Sequence, residues 1–285
     1  MIELVTDSAA MLPDSVRERC AISVVPMTIT IDGEDYREGT DLSSDEFYAR
    51  MAAGAVVSTA APPPGSFVDT YRAAVARGAT AVLSVHTGAA YSATLASATI
   101  AADMVDVPVT LVDTGVGSFP VALAVWTAAE LLERGALVEE AADAARRIAT
   151  TTGSVFVVGV PAVARRGGRF VGIDGQLTPT TVIELVGGNL HDRGAVEDLD
   201  AAIDAMIEAT LTAARAGTLR IGVGHAVHHE VAEQIRTRLA TQLPESEIVV
   251  YEVGPSVGAH TGSGTLGIVY APTWKHETPA ERERE

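Results

Sequence analysis

Residues suited to chemistry are few in this sequence, and most stand beside glycines or at the ends of apolar runs. His260 lies in "GPSVGAHTGSGTLGIVY", Gly254 to Tyr270, among glycines and small hydroxyl residues, with Thr261 next to it. Glycine lets a backbone adopt positive φ and approach a ligand closely. Successive amides in such a loop can make an anion-binding concavity. The same composition also makes a plain turn ahead of a last strand. Thr59 precedes the proline-rich "AAPPPGSF", and Ser92 opens "SATLASATIAADM" with Thr94 two places on. Ser92 is placed to cap that helix by accepting from its first amides, or to face an anion together with them, since helix N-termini favour negative charge. Arg165, Arg166 and Arg169 in "RRGGRF" are either a solvated basic run or, through Arg169, a fork for a carboxylate or phosphate. Asp7, Asp113 and His225 each follow an apolar run. Such positions cap helices, make structural hydrogen bonds or bind ligands outside the carboxyl ends of strands.

Several chemistries are excluded at this level. The sequence holds no HExxH pair, no phosphate-binding Walker loop and no GxSxG nucleophile elbow. Its one cysteine, Cys20, allows neither an intrachain disulfide nor a cysteine-based metal site. Twenty basic side chains stand against 37 acidic ones, a formal net charge of −17, which repels nucleic acid and anionic lipid. Aromatic residues make up only 5 %, too few for stacked recognition of single strands. A small ligand or a protein partner is therefore expected. No cofactor or metal is indicated.

The elements that must position these residues are legible as an alternation. "IELVT", "ISVVPMTITI", "TAVLSVH", "VPVTLVD" and "SVFVVGV" read as strands apolar on both faces, as buried parallel strands are. "SFVDTYRAAVARG", "SATLASATIAADM" and "LVEEAADAARRIA" read as helices between them. The pattern predicts two α/β domains: residues 1–160 with a mostly parallel Rossmann-like sheet, and residues 161–273 with a smaller mixed sheet and helices. "PAVARRGGRFVGIDGQLTPT" has no clear periodicity and reads as the crossover, while residues 274–285 are charged and proline-broken, as a disordered tail would be. The apolar stretch "SFPVALAVWTAAELLERG" is interrupted by Pro120 and becomes charged at Glu130, too short to span a bilayer. The N-terminus lacks the basic and apolar regions of a signal peptide. A cytoplasmic location is expected.

Taken in order, "VTDSAAMLP", "VVPMTITIDGEDYREG", Thr59 with Pro62, "YSATLASA", "LVDT", "RRGGR" and "VGAHTGSGTLGIVY" resemble the DegV family along most of the chain. That resemblance implies a two-domain α/β protein without catalytic activity, holding a long-chain fatty acid between its domains. In some members it implies a partner, a fatty acid kinase to which the acid is presented. It places Thr59, Ser92, Thr94, Arg169, His260 and Thr261 around the ligand carboxylate. The chemistry is coherent: a carboxylate leaving water needs hydrogen bonds or a counter-charge, and an apolar tunnel gains ~0.8 kcal/mol per buried CH₂. This sequence departs from the family in Ala60-Ala61 after Thr59, in Ala93 between Ser92 and Thr94, in Glu38 after Tyr36, and in the acidic "GAVEDLD" where a basic segment is usual. Those departures bear on the kinase more than on the acid. Two readings of other classes stand beside this one: an α/β hydrolase or transferase using Ser92 with His225 or His260, and an interaction protein with no ligand.

Overall fold

The computed structural model describes residues 1–170, 173, 177–187 and 189–274. The chain begins with β1 (Ile2–Asp7), a 3-10 turn at Ser8–Ala10, α1 (Asp14–Arg19) and β2 (Ser23–Val25). There follow β3 (Thr28–Ile31), β4 (Glu34–Arg37), α2 (Ser44–Ala52), β5 (Val57–Ala60), α3 (Pro64–Ala76), β6 (Ala81–His86), α4 (Thr94–Ala102) and β7 (Val109–Asp113). Next come α5 (Phe119–Glu133), α6 (Val138–Thr151), β8 (Gly153–Val157), α7 (Pro161–Gly167), β9 (Thr181–Val186) and β10 (Asn189–Ala195). The rest is α8 (Leu199–Ala214), β11 (Leu219–His225), α9 (His229–Gln242), β12 (Glu247–Glu252), α10 (Pro255–Thr261) and β13 (Leu266–Pro272).

Strands β2-β1-β6-β7 form an all-parallel sheet. A mixed sheet runs β10-β9-β8-β13-β11-β12, with β11 and β12 parallel and the other neighbours antiparallel. At six strands it outnumbers the parallel sheet instead of being the smaller one. It takes up β8 ahead of the expected crossover at residue 161, and the aperiodic stretch itself holds a short helix, α7. Residues 275–285 of the expected tail lie outside the described residues, while Trp274 is half-buried beneath the Arg147 guanidinium.

A third sheet, β4-β3-β5, is antiparallel and was not legible as such. "ISVVPMTITI" is two strands in two sheets rather than one. Pro26 has no N–H to give a ladder, so β2 ends at Val25 and β3 starts afresh at Thr28. Between them the Met27 amide donates to Ser8 Oγ at 2.9 Å, fixing the change of direction.

The two larger sheets share one central helix. The apolar run from Phe119 is α5, which packs against β1 and β6 of one sheet and β11 and β13 of the other. Buried on all sides, it reads hydrophobic around its whole circumference. Its fully buried Val121, Leu123 and Val125 each contribute roughly 1.5–3 kcal/mol by leaving water. The far end of α5 carries a polar lock. Arg220 of β11 donates to Glu130 and to Glu247, both at 2.8 Å, and its guanidinium lies 4.1 Å from the Trp126 ring centre. Trp126 Nε1 donates to the same Glu130 at 3.0 Å. Replacing Arg220 with Ala leaves Glu130 without its main counter-charge. The expected loss is about 3 kcal/mol of unfolding free energy, measurable by urea denaturation, whereas Arg238→Ala at an exposed pair should cost less than about 1 kcal/mol.

Candidate functional site

A cavity of about 370 Å³ lies between the parallel sheet and the mixed sheet, and its wall is mostly apolar. Its floor is the mixed sheet. Gly224 of β11 and Gly267 of β13 are direct cross-strand partners, and both line it. A Cβ at Gly224 would stand 2.4 Å from the Tyr251 ring, and one at Gly267 would stand 2.6 Å from Phe156 Cβ, so the aromatic side chains can lie close along bare backbone. Helix α10 supplies another wall through Ser256, Val257, His260 and Thr261, one stripe at helical spacing. The Gly-rich stretch around His260 is thus a short helix followed by a turn, not a loop throughout.

Several polar side chains line this cavity. Thr59, paired with Ile29 across β3 and β5, meets His260 Nε2 through Oγ1 at 2.9 Å. Ser92 lines it from the segment before α4. It does not cap that helix as the sequence suggested: α4 starts two residues later, with Ala93 at the cap position. Its Oγ instead accepts weakly from the Thr94 amide at 3.3 Å and bonds Thr94 Oγ1 at 2.8 Å. Thr94 is fully buried behind Ser92 and does not line the cavity; its hydroxyl also points at Met27 Sδ. Thr261 lines the cavity, but its hydroxyl is turned to the Val257 carbonyl of its own helix. Arg169 is exposed at the rim, with Nη1 donating to the Gly167 carbonyl at 2.6 Å.

His260 is electrostatically distinctive. Burial, helped by the positive charge of Arg169, pushes its pKa down to about 4. The imidazole is neutral near pH 7, so it offers a hydrogen bond and no charge. Its position depends on Gly167: a Cβ there would come 2.9 Å from His260 Nδ1, so α7 can close against α10 only with glycine at that place.

Among the described residues no hydrogen bond joins Ser92 to a histidine. Its hydroxyl is engaged with Thr94, while His225 pairs with His229 at 3.3 Å and keeps a buried Nδ1 without a partner. A serine–histidine–aspartate chain does exist elsewhere. Ser84 Oγ bonds His86 Nε2 at 2.6 Å, and His86 Nδ1 meets Asp7 at 3.0 Å. All three side chains are fully buried and Tyr71 OH closes on Ser84 Oγ at 2.9 Å, so no substrate reaches the hydroxyl. Asp7 also accepts from the Thr87 amide and hydroxyl, so this network fixes a cavity-lining loop. Among the described residues no cluster of His, Cys, Asp and Glu is suited to a metal ion. No helix there is long and apolar enough to cross a membrane.

Sequence reasoning missed three contributors. Met27 and Ser256 line the cavity, and Glu38 stands behind α10, where Oε1 accepts the Ser256 amide at 2.7 Å and Oε2 accepts the Ser8 hydroxyl. Burial raises the Glu38 pKa, opposed by those hydrogen bonds. A signal was present: a carboxylate flanked by the strand residues of "EDYREG" and buried in the fold must find donors.

Fold and site together define a mixed α/β protein with a largely apolar cavity between two sheets, lined by hydroxyls and an imidazole. The chain belongs to the DegV family, whose family model, described as uncharacterised, matches residues 1–273. A DegV domain-containing protein of Streptomyces coelicolor is 34 % identical over 277 residues, covering 94 % of this chain and 97 % of that one. Among solved structures, a DegV family protein of Thermus thermophilus that binds fatty acid superposes with a TM-score of 0.87 at 30 % identity, covering 95 % of this chain and 99 % of its own. DegV of Bacillus subtilis, a fatty acid binding protein, gives 0.86 at 28 % identity, with the same coverage.

The low pKa of His260 has a pH consequence. Between pH 6.5 and about 4 the unfolded chain binds a proton that the folded chain refuses, so folding stability contributed at neutral pH is lost as pH falls through that window. The expected outcome is that His260→Asn flattens the fall in unfolding free energy between pH 7 and pH 4.5, measured by urea titration of both proteins. An unchanged pH profile would show His260 titrating normally.

Proposed function

We infer that this chain is a fatty-acid-binding protein that holds a long-chain acid in the cavity between its sheets, with the carboxylate at Thr59, Ser92 and His260. One observation carries the reading: a 370 Å³ cavity with mostly apolar walls is lined by Ser92 and by Thr59 bonded to a neutral imidazole, His260. An acyl chain gains ~0.8 kcal/mol per buried CH₂ in such walls, and the carboxylate exchanges water for hydroxyl donors. Thr94 acts through Ser92 by orienting its hydroxyl, and Thr261 completes the wall beside His260. Likeness to the Thermus and Bacillus proteins supports the same ligand class. No group in this reading performs chemistry, so the protein is a carrier and not an enzyme, working in the cytoplasm.

The expected outcome is copurification. Organic extraction of the folded protein, followed by mass analysis, should release a long-chain fatty acid, and adding the acid to stripped protein should raise its melting temperature. Thr59→Ala or Ser92→Ala should weaken binding by roughly 1–3 kcal/mol, the scale of a lost partner for a buried polar group. Well-folded protein that neither contains nor binds fatty acid would end this reading.

Presentation of the acid to a fatty acid kinase is the second part of the proposal. Arg169 supports it, because a permanently charged guanidinium stands exposed at the cavity rim. Arg169→Ala should reduce acyl phosphate formation with a kinase from the same cell about tenfold while changing acid affinity less than about threefold, because chain burial dominates affinity. Thr59→Ala should do the reverse. Equal losses in both assays for both variants would show that rim and interior are not separate in function.

A further inference from the structure

Tyr251 stands between two cavities. It lines the cavity that contains Thr59 and His260, and it also lines a second cavity of about 550 Å³. Met11, Leu12, Leu42 and Val250 form part of the second wall, together with Glu38 and Glu252. From β12 the Tyr251 side chain reaches over the neighbouring strand. A Cβ on Gly224 would stand 2.4 Å from its ring and hydroxyl, so the phenol fills the space that a side chain there would take. Gly222 leaves room for Phe119 in the same way, and Phe119, fully buried, stacks on the Tyr251 ring at 4.1 Å. The partition is therefore held by packing on a bare stretch of β11, and Tyr251 is only 8 % exposed. The way from the carboxylate site to this partition is continuous. His260, Val257, Val253 and Tyr251 line the first cavity in succession, going back along the chain. On the floor Phe156, Gly267, Gly224 and Tyr251 are cross-strand neighbours in one row, and all four line the same cavity. At the usual strand spacing this row is roughly 14 Å long.

We propose that Tyr251 is the specificity residue that ends the acyl site: the methyl end of the ligand stops against its ring, and the ring sets the longest chain the protein accepts. The proposal rests on the fatty-acid reading of the cavity and adds to it the group that measures the acid. A chain that ends short of Tyr251 gains affinity with each CH₂ it buries. A longer one must push the ring off Gly224 and Phe119 or leave its own end outside. Displacing a side chain packed this closely is costly, because a filled core has no room to receive it. Truncating Tyr251 removes that barrier and joins the first cavity to the second.

The test uses the full-length protein stripped of lipid, with straight-chain saturated acids from decanoic to docosanoic, read by displacement of a fluorescent acyl probe. Wild-type affinity should rise with chain length to an optimum and then fall. Tyr251→Ala and Tyr251→Leu should move the optimum to longer acids. Each should bind the acid two carbons beyond the wild-type optimum at least about tenfold more tightly than wild type does, since one further buried CH₂ is worth about fourfold. Tyr251→Phe, which keeps the ring, should leave the optimum in place. So should Leu190→Ala, which shortens a wall residue of the same cavity on β10. Melting curves establish that the variants fold, and Tyr251→Leu carries the test if Tyr251→Ala does not. An optimum unmoved by truncation at Tyr251 would overturn the proposal, even if affinity fell at every length, because the residue would then serve the scaffold alone. An optimum moved by Leu190→Ala instead would also overturn it, because the tail would run towards β10. Wild type that binds no acid of any length would remove the fatty-acid reading and this proposal with it.

Discussion

The cavity exists because a seven-residue helix near the end of the chain is held by groups from near its beginning. Glu38 accepts the Ser256 amide, Tyr48 donates to the Val253 carbonyl at 2.6 Å, and Thr59 meets His260. Each of these contacts spans more than 200 residues of sequence. They are made by a buried carboxylate, a buried phenol and a half-buried hydroxyl, groups that need partners once they leave water. Beyond them α10 has its own few hydrogen bonds, the Val160 amide on its Thr261 carbonyl and its packing against α7, and helices that short do not persist alone. The side of the cavity that carries His260 is therefore made by long-range satisfaction of polar groups and not by local helix preference.

Burial acts on both ionisable groups at α10. Glu38 meets its first turn, where the Ser256 amide and the Ser8 hydroxyl oppose the rise that burial gives its pKa, while His260 lines the cavity, where burial and Arg169 keep it neutral. The permanent positive charge of Arg169 stands exposed at the cavity rim, and the imidazole inside is uncharged near neutral pH. Asp7 is handled likewise: its acceptors are filled by His86 and Thr87, so a charge near the cavity wall is already matched.

Much of this was legible in the residues. The α/β alternation and the parallel first sheet followed from apolar runs and turn residues, and the family from the ordered motifs. What escaped was decided over long range. The paired glycines of "TVIELVGGNLHDRGAV" are a local hairpin signal, but the outer strand β10 is almost wholly exposed and lacks an alternating pattern, so it does not read as a strand by itself. "ISVVPMTITI" reads as one strand because the propensity of its residues is uniform; only the missing N–H of Pro26 divides it.

Part of the cavity floor is backbone, at the paired Gly224 and Gly267. Tyr251 lies against Gly224, Phe119 lies against Gly222, and the two rings stack 4.1 Å apart at 12°. Where the floor is glycine it has no rotamers. Side chains such as Phe156, Leu185 and Val269 around those glycines can shift to admit a longer or bent occupant, but a hydrogen-bonded ladder cannot. Over the two glycines the cavity therefore behaves as a gauge of fixed depth, and tolerance for different occupants comes from the side chains around them. Over evolutionary time its depth can change in coarse steps, by adding a side chain to a floor glycine together with the loss of the ring above it.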